Sequence, residues 1–334
     1  TSFHRNIPQF EEYRRSMRGP RRSLITLVIA AAAALLAPSA HAGPVMPIAA
    51  APEQPDHADA IRYAASNRDA APPGANDMSC KPTAAHPNPV VLVHGTDATA
   101  YSDWAGFAPI LKAAGFCVFA INYGTSPDGK SNGYGVIEDS AAQLKAMTLS
   151  ILRATGAAAV DVVGYSQGAA VARYFVNRLG GAYVVDRWVG IASPTYGGTM
   201  YGVSPVVQAV PGATGVLASE FGPGLAQLMA GSDFLDRLNA GGDTVPGVEY
   251  TSIATRVDEV IQPYTNALLR DPGAHNIVVQ DVCPDTEVAH FTFTYDPTAL
   301  RLALNALDPA NSRPPTCVPV PLGAGILDVV LASH

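Results

Sequence analysis

The chain has 334 residues, a formal net charge of −7, 48% apolar residues and four cysteines. This is enough chain for one large α/β domain or two small ones. No basic stripe marks it as a nucleic-acid binder, so no nucleic-acid partner is expected.

The N-terminal stretch reads as a targeting segment. Arg18, Arg21 and Arg22 precede the apolar run from Leu24 to Ala37, and Ala40-His41-Ala42 supplies a small-residue cleavage site before Gly43. Residues 1–42 are therefore expected to be a secretory signal peptide. Residue 1 is not Met, and Met17 would open a compact signal, so residues 1–16 are read as lying upstream of the true start. The apolar run is too short and alanine-rich for a good transmembrane helix, and no membrane anchor is expected in the mature protein. Cleavage near Ala42 would remove six Arg and two Glu, taking the net charge from −7 to −11. Such an acidic surface suits an exported protein, expected to be monomeric, and does not favour anionic membranes by charge.

Residues 43–79 are rich in Ala and Pro and read as a tail or linker over the domain, with the fold beginning near Cys80 and running through 80–334. Val90-Val91-Leu92-Val93 is a continuous apolar run, as expected of a strand buried on both faces, and it ends at His94-Gly95-Thr96. Asp103 is expected to cap a helix carrying Trp104, Phe107, Ile110 and Leu111, which Gly115 ends. A strand over 117–123, a polar glycine-rich loop over 124–135 and a long helix over 136–153 follow. Further strands are predicted at 159–163, 187–192, 248–253 and 275–280, and a closing helix at 297–307. Strands alternating with helices imply a parallel sheet covered on both faces, with ligands beyond the carboxyl ends of the strands. Residues 196–245 break this alternation. About fifty residues without a strand is long for a connection, and the stretch is read as a lid or acyl-pocket wall.

Gly164-Tyr165-Ser166-Gln167-Gly168 sits between a predicted strand and a helix of small residues. This is the setting of a nucleophile elbow, where the chain reverses sharply and a serine Oγ projects above the sheet. Side chains at Gly164 or Gly168 would crowd the turn. The N–H of Gln167, in the first helical turn, is free to stabilise an oxyanion. A second donor is expected from the loop after the first core strand, where Thr96 offers a backbone N–H and a hydroxyl; His94 is read as a packing residue.

A serine nucleophile needs a base, and the base an orienting acid, in the chain order Ser, Asp or Glu, His. His275 opens a strand and so lies at its amino end, and His334 is terminal; His290 follows the last strand on the carboxyl side and is the expected base. Asp258 leaves a strand end and is the expected acid. Its neighbour Glu259 is the alternative, with a side chain expected to point away from His290. The charge of Asp258 and burial should shift His290 in opposite directions and roughly cancel.

An even cysteine count in an exported protein suggests two disulfides, and four cysteines allow three pairings. Cys80–Cys117 and Cys283–Cys317 are favoured, since each joins segments expected to be adjacent. No spacing typical of a metal site is present, and no metal or other cofactor is expected.

These segments together resemble the secreted class 2 bacterial lipases, and are similar also to the fungal lipase B. The resemblance rests on Pro87-Asn88-Pro89 followed by VVLVHGT, on Tyr165-Ser166-Gln167-Gly168, on Ser193-Pro194-Thr195-Tyr196-Gly197-Gly198-Thr199, and on the stretch Val257-Asp258-Glu259-Val260-Ile261-Gln262-Pro263. His290-Phe291 and Tyr295-Asp296-Pro297 extend it, so that it covers most of 76–310. It implies an α/β-hydrolase fold, a triad of Ser166, Asp258 and His290, an oxyanion hole of Thr96 and Gln167, the two disulfides favoured above, and a lipid or ester substrate. It implies a secreted triacylglycerol lipase. A carboxylesterase, polyester hydrolase or acyltransferase would share the triad, and an inactive binding protein could share the fold. The fungal enzyme has Thr in place of Gly164 and a different C-terminus, so detailed substrate preference is not carried over.

Overall fold

The computed structural model describes residues 45–199, 209 and 212–333. The expected signal peptide and part of the expected insertion lie outside the described residues.

Among the described residues, six parallel strands form the central sheet: β3 (Val90–Val93), β4 (Val118–Ile121), β5 (Val160–Tyr165), β6 (Val185–Ile191), β7 (Glu249–Ala254) and β8 (His275–Val278), in the order β4-β3-β5-β6-β7-β8. A small pair, β1 (Ala49–Ala50) and β2 (Ala70–Ala71), stands apart. Alternate residues of each buried strand serve opposite faces. Val91, Val93, Phe119, Ile121 and Val162 face the long helix α4 (Ile137–Thr155) and α5 (Gln167–Arg178). Val90, Leu92, Val118, Ala120 and Val163 face α2 (Ala100–Trp104), α3 (Phe107–Ala113) and α10 (Pro297–Leu307). This three-layer arrangement explains why the central strands read as unbroken apolar runs.

Three local readings need correction. Asp103 is not a cap: α2 is capped by Thr99 in a reciprocal box with Ser102, and Asp103 lies inside the helix, fully buried. The helix expected around Trp104 to Leu111 is thus two short ones, with Gly115 at positive φ just beyond the second. The last strand stops at Val278 and turns directly into α9 (Val279–Val282).

The stretch before Cys80 is not a loose tail. Val45 pairs with Asn122, and the Asn76 side chain bonds the Ala120 N–H at 2.7 Å and the carbonyls of Pro47 and Ala120. Between them, α1 (His57–Ser66), capped by Asp56, buries His57, Ala58, Ala60 and Ala64. The Cys80–Cys117 disulfide fastens the end of this segment beside β4, and Cys283–Cys317 holds the chain beyond α10, with Cα separations of 5.8 and 5.3 Å. That C-terminal chain ends in α11 (Ile326–Ala332), which packs on α1.

Between β6 and β7 the described chain contains α6 (Ala213–Phe221), α7 (Pro223–Gln227) and α8 (Asp233–Asn239). Gly198 and Met229 form a parallel bridge, with Gly198 N–H donating to Leu228 O and Ala230 N–H to Gly198 O, both at 3.2 Å. Gln227 ties α7 to the start of α4, accepting the Ile137 N–H at 2.7 Å and donating to Glu138 at 2.6 Å.

Candidate active site

The elbow follows from steric necessity. Ser166 lies between β5 and α5 at φ 50° and ψ −122°, a strained conformation for a non-glycine residue. A Cβ on Gly164 would strike the backbone of Ala169, and one on Gly168 would strike the carbonyl oxygens of Val93 and His94. The two glycines therefore let α5 descend directly against β3, and Ser166 is carried above the carboxyl end of the sheet.

Three expected residues meet there. His290 Nε2 lies 3.0 Å from Ser166 Oγ, and His290 Nδ1 lies 3.0 Å from Asp258 Oδ2. Asp258 leaves the end of β7, and its other oxygen accepts the N–H groups of Val260 at 2.9 Å and Ile261 at 2.7 Å. Those bonds leave Oδ2 to face the imidazole. Burial is the largest influence on His290 and lowers its pKa; the charge and hydrogen bond of Asp258, with smaller help from Glu259 and Asp103, outweigh it and hold the pKa above the ordinary histidine value. The expected cancellation is thus incomplete, and the balance favours imidazolium.

Thr96 and Gln167 also come together. The Thr96 hydroxyl donates to Gln167 Oε1 at 2.8 Å, while Gln167 Nε2 donates to Gly133 O at 2.7 Å. The hydroxyl expected to serve an oxyanion is therefore engaged, and its backbone N–H is the donor left for that purpose. The neighbouring peptide is held rigidly. His94 Nδ1 donates to the Gly95 carbonyl at 2.8 Å, and because a peptide unit is planar and trans, this directs the Thr96 N–H the opposite way. His94 is stacked on Tyr123, and burial lowers its pKa, favouring the neutral ring. A cavity of 340 Å³ opens beside Thr96, with Ser126, Ser131, Tyr134 and Ser219 among its walls.

Three residues that the sequence did not single out, or placed wrongly, hold the backbone of His290 and Phe291. Glu259 accepts both N–H groups, at 2.6 Å from His290 and 3.2 Å from Phe291, so its side chain points towards this loop and not away. Tyr165 donates its hydroxyl to the His290 carbonyl at 2.8 Å. His57 Nδ1 donates to the Phe291 carbonyl at 2.6 Å. Tyr165, inside the elbow motif, was open to notice; Glu259 and His57 act on main chain and carry no spacing signal. The remaining candidates lie elsewhere: His275 is exposed at the amino end of β8, and His334 falls outside the described residues. Among the described residues no cluster of His, Cys, Asp or Glu is arranged to hold a metal ion.

A family model described as lipase (class 2) matches residues 87–294. Lipase B of Aspergillus fumigatus is similar in fold, with 21% identity and a TM-score of 0.58 over 79% of this chain and 65% of that one. The chain thus spans just under two thirds of that relative. The mature lipase BlEst2 of Bacillus licheniformis is also similar, with 18% identity and a TM-score of 0.52 over 69% of this chain and 96% of that one.

Proposed function

The chain belongs to the class 2 lipase family, and from that premise we propose that it is a serine ester hydrolase, a triacylglycerol lipase, with Ser166 as nucleophile, His290 as general base and Asp258 as its orienting acid. The observation that carries this reading is the line from Ser166 Oγ through the His290 ring to Asp258 Oδ2, with 3.0 Å at each gap. In this reading Ser166 Oγ bonds to the ester carbonyl carbon as its proton passes to His290 Nε2. The carbonyl oxygen, now negative, is held by the N–H groups of Gln167 and Thr96. Collapse breaks the bond to the alkoxy oxygen, which takes the proton from His290 and leaves as the alcohol. Water, losing a proton to the same nitrogen, then bonds to the acyl carbon, and collapse breaks the bond to Ser166 Oγ, which takes that proton back as the fatty acid leaves.

The stretch between β6 and β7 is assigned as the wall of the acyl pocket. Supporting this, Gly224 of α7 sits so close to the Gln167 amide that a Cβ there would come within 2.8 Å of Nε2. The enzyme is assigned to the cell exterior, reached by cleavage near Ala42. Its two disulfides are compatible with an oxidising compartment, and among the described residues no helix is long and apolar enough to cross a membrane.

The test is labelling with an organophosphonate followed by peptide mapping, together with turnover of Ser166→Ala on a triacylglycerol emulsion and on soluble short-chain esters. Adduct on Ser166 and loss of turnover are expected. Turnover above about one thousandth of wild type would refute the nucleophile. Activity confined to the short soluble esters would point to a carboxylesterase instead.

A further inference from the structure

The catalytic loop and the oxyanion loop come from opposite ends of the family-matched region, yet one buried side chain joins them, and it comes from outside that region. His57, on α1, donates from Nδ1 to the Phe291 carbonyl at 2.6 Å, next to His290. Its Nε2 lies 3.0 Å from Asp103 Oδ1. Asp103 Oδ2 in turn accepts the Gly95 N–H at 2.7 Å, next to Thr96. His57 is buried, stacked on Tyr295 with ring centroids 5.4 Å apart, and Asp103 is fully buried. The connection runs through two ring nitrogens and two carboxylate oxygens, and each of the four atoms has one of these bonds.

We propose that His57 is a positioning residue for ester hydrolysis, bridging Phe291 to Gly95 through Asp103 and so fixing the distance between the base and the oxyanion donors. The inference rests on the reading of Ser166 and His290 given above. The chemistry requires such a link because the attacking oxygen, the proton acceptor and the oxyanion donors must be in register at one carbonyl group, and their loops belong to different parts of the chain. Misplacement by about 1 Å can cost about a hundredfold in rate. His57 touches neither substrate nor reacting atoms; it acts through the main chain of the two loops. One proton lies between His57 Nε2 and Asp103 Oδ1. An asparagine at 103 can supply that proton from its amide while its oxygen keeps the Gly95 N–H, so Asp103→Asn preserves the bridge that Asp103→Ala breaks. The segment before Cys80 is thereby part of the working enzyme.

The experiment uses the full chain and one soluble ester, with kcat and KM measured separately for wild type, His57→Ala, His57→Phe, Asp103→Asn and Asp103→Ala. His57→Phe keeps a flat ring against Tyr295 and loses both bonds. The expected result is a fall in kcat of about tenfold to a hundredfold for His57→Ala, His57→Phe and Asp103→Ala, with KM within about twofold, and near-normal kcat for Asp103→Asn. His57 borders a surface cavity of 360 Å³, so small molecules can reach the space it leaves. Imidazole, which bonds at both nitrogens, should restore kcat to His57→Ala, and 1-methylimidazole, which fills the same space with one nitrogen blocked, should not. Near-wild-type kcat in His57→Phe, or equal rescue by the two compounds, would overturn the proposal. If wild type labels on Ser166 and Ser166→Ala is inactive, such a result refutes the bridge alone; failure of those two controls refutes the underlying reading instead.

Discussion

Glu259 Oε2 lies 2.6 Å from the main-chain nitrogen of His290. Two adjacent carboxylates thus divide one histidine between them. Asp258 takes the ring, and Glu259 takes the backbone that carries the ring and the next N–H as well. Glu259 is 6% exposed, so these bonds replace the water that a buried carboxylate would otherwise lack.

Glu259→Gln should therefore harm the enzyme. An amide oxygen can accept one of the two N–H groups, but its NH₂ is then turned towards the other, leaving a buried donor without an acceptor. The expected loss in kcat is about tenfold to a hundredfold, with a lower melting temperature. Asp258→Asn should cost more, up to about 10⁴-fold, because it acts on the tautomer and charge of the ring itself. The check is kcat for both variants on one soluble ester; unchanged kcat in Glu259→Gln would exclude the positioning role.

The pH dependence of turnover follows from the raised pKa of His290. In the proposed reaction the ring must be neutral to accept the serine proton. As pH falls through a raised pKa the ring protonates sooner than an ordinary histidine, whose value is about 6.5, so the acid limb should lie above that value. Asp258→Asn removes the largest influence favouring imidazolium, and the limb of its residual activity should move to lower pH. A kcat/KM profile of wild type and variant from pH 4 to 9 (roughly the span of the histidine titration) measures this, and a limb that stays in place would contradict it.

A second carboxyl, far from the site, should govern stability. Asp161 is buried in β5, where burial pushes its pKa from 3.8 up to about 7 despite the Asn88 amide at 3.2 Å and the charge of Arg187. Between about pH 4 and about pH 7 the native state keeps a proton that the unfolded chain has lost, so stability falls as pH rises through that window. Asp161→Asn cannot ionise and should abolish this fall, gaining on the order of 2–4 kcal/mol over wild type at pH 8 and little at pH 4. Urea unfolding at the two values tests it, and parallel pH slopes would count against it.

Gly168→Ala tests the elbow. The added methyl would overlap the carbonyl oxygens of Val93, the last residue of β3, and of His94 just beyond it. Overpacking of this kind typically costs about 1–3 kcal/mol, or about 2–4 °C in Tm per kcal/mol for a domain of this size. Ser166 should also be displaced, lowering kcat. A variant with normal Tm and normal kcat would show that α5 can lift away from β3 without consequence.

The parts legible in the sequence share a physical cause. Apolar runs marked the strands, and the rule that ligands bind beyond the carboxyl ends of parallel strands led to Ser166, Asp258 and His290 as candidates, whose side chains meet. The illegible parts have causes too. Helix α1 buries mainly alanines, Ala58, Ala60 and Ala64, which leave a faint periodic signal in an alanine-rich segment. Asp103 matched the appearance of a cap, but Thr99 and Ser102 form the reciprocal pair, leaving Asp103 to face His57 and Gly95. Glu259, Tyr165 and His57 bond main-chain atoms, which any residue type can offer, so their partners leave no mark on the sequence.

The bridge between Gly198 and Met229 brings together the two ends of a thirty-residue excursion. Its roots sit side by side on a framework whose strand register, Arg187 to Ile191 against Glu249 to Ile253, is set elsewhere. Extending a loop whose ends are already neighbours is thermodynamically mild, about 0.6 kcal/mol for each doubling of length. Residues 200–222 are therefore a natural graft point. A segment of different length or composition can be spliced there, with Gln227 retained to grip α4, to give a series of chains that differ in this excursion and share one framework.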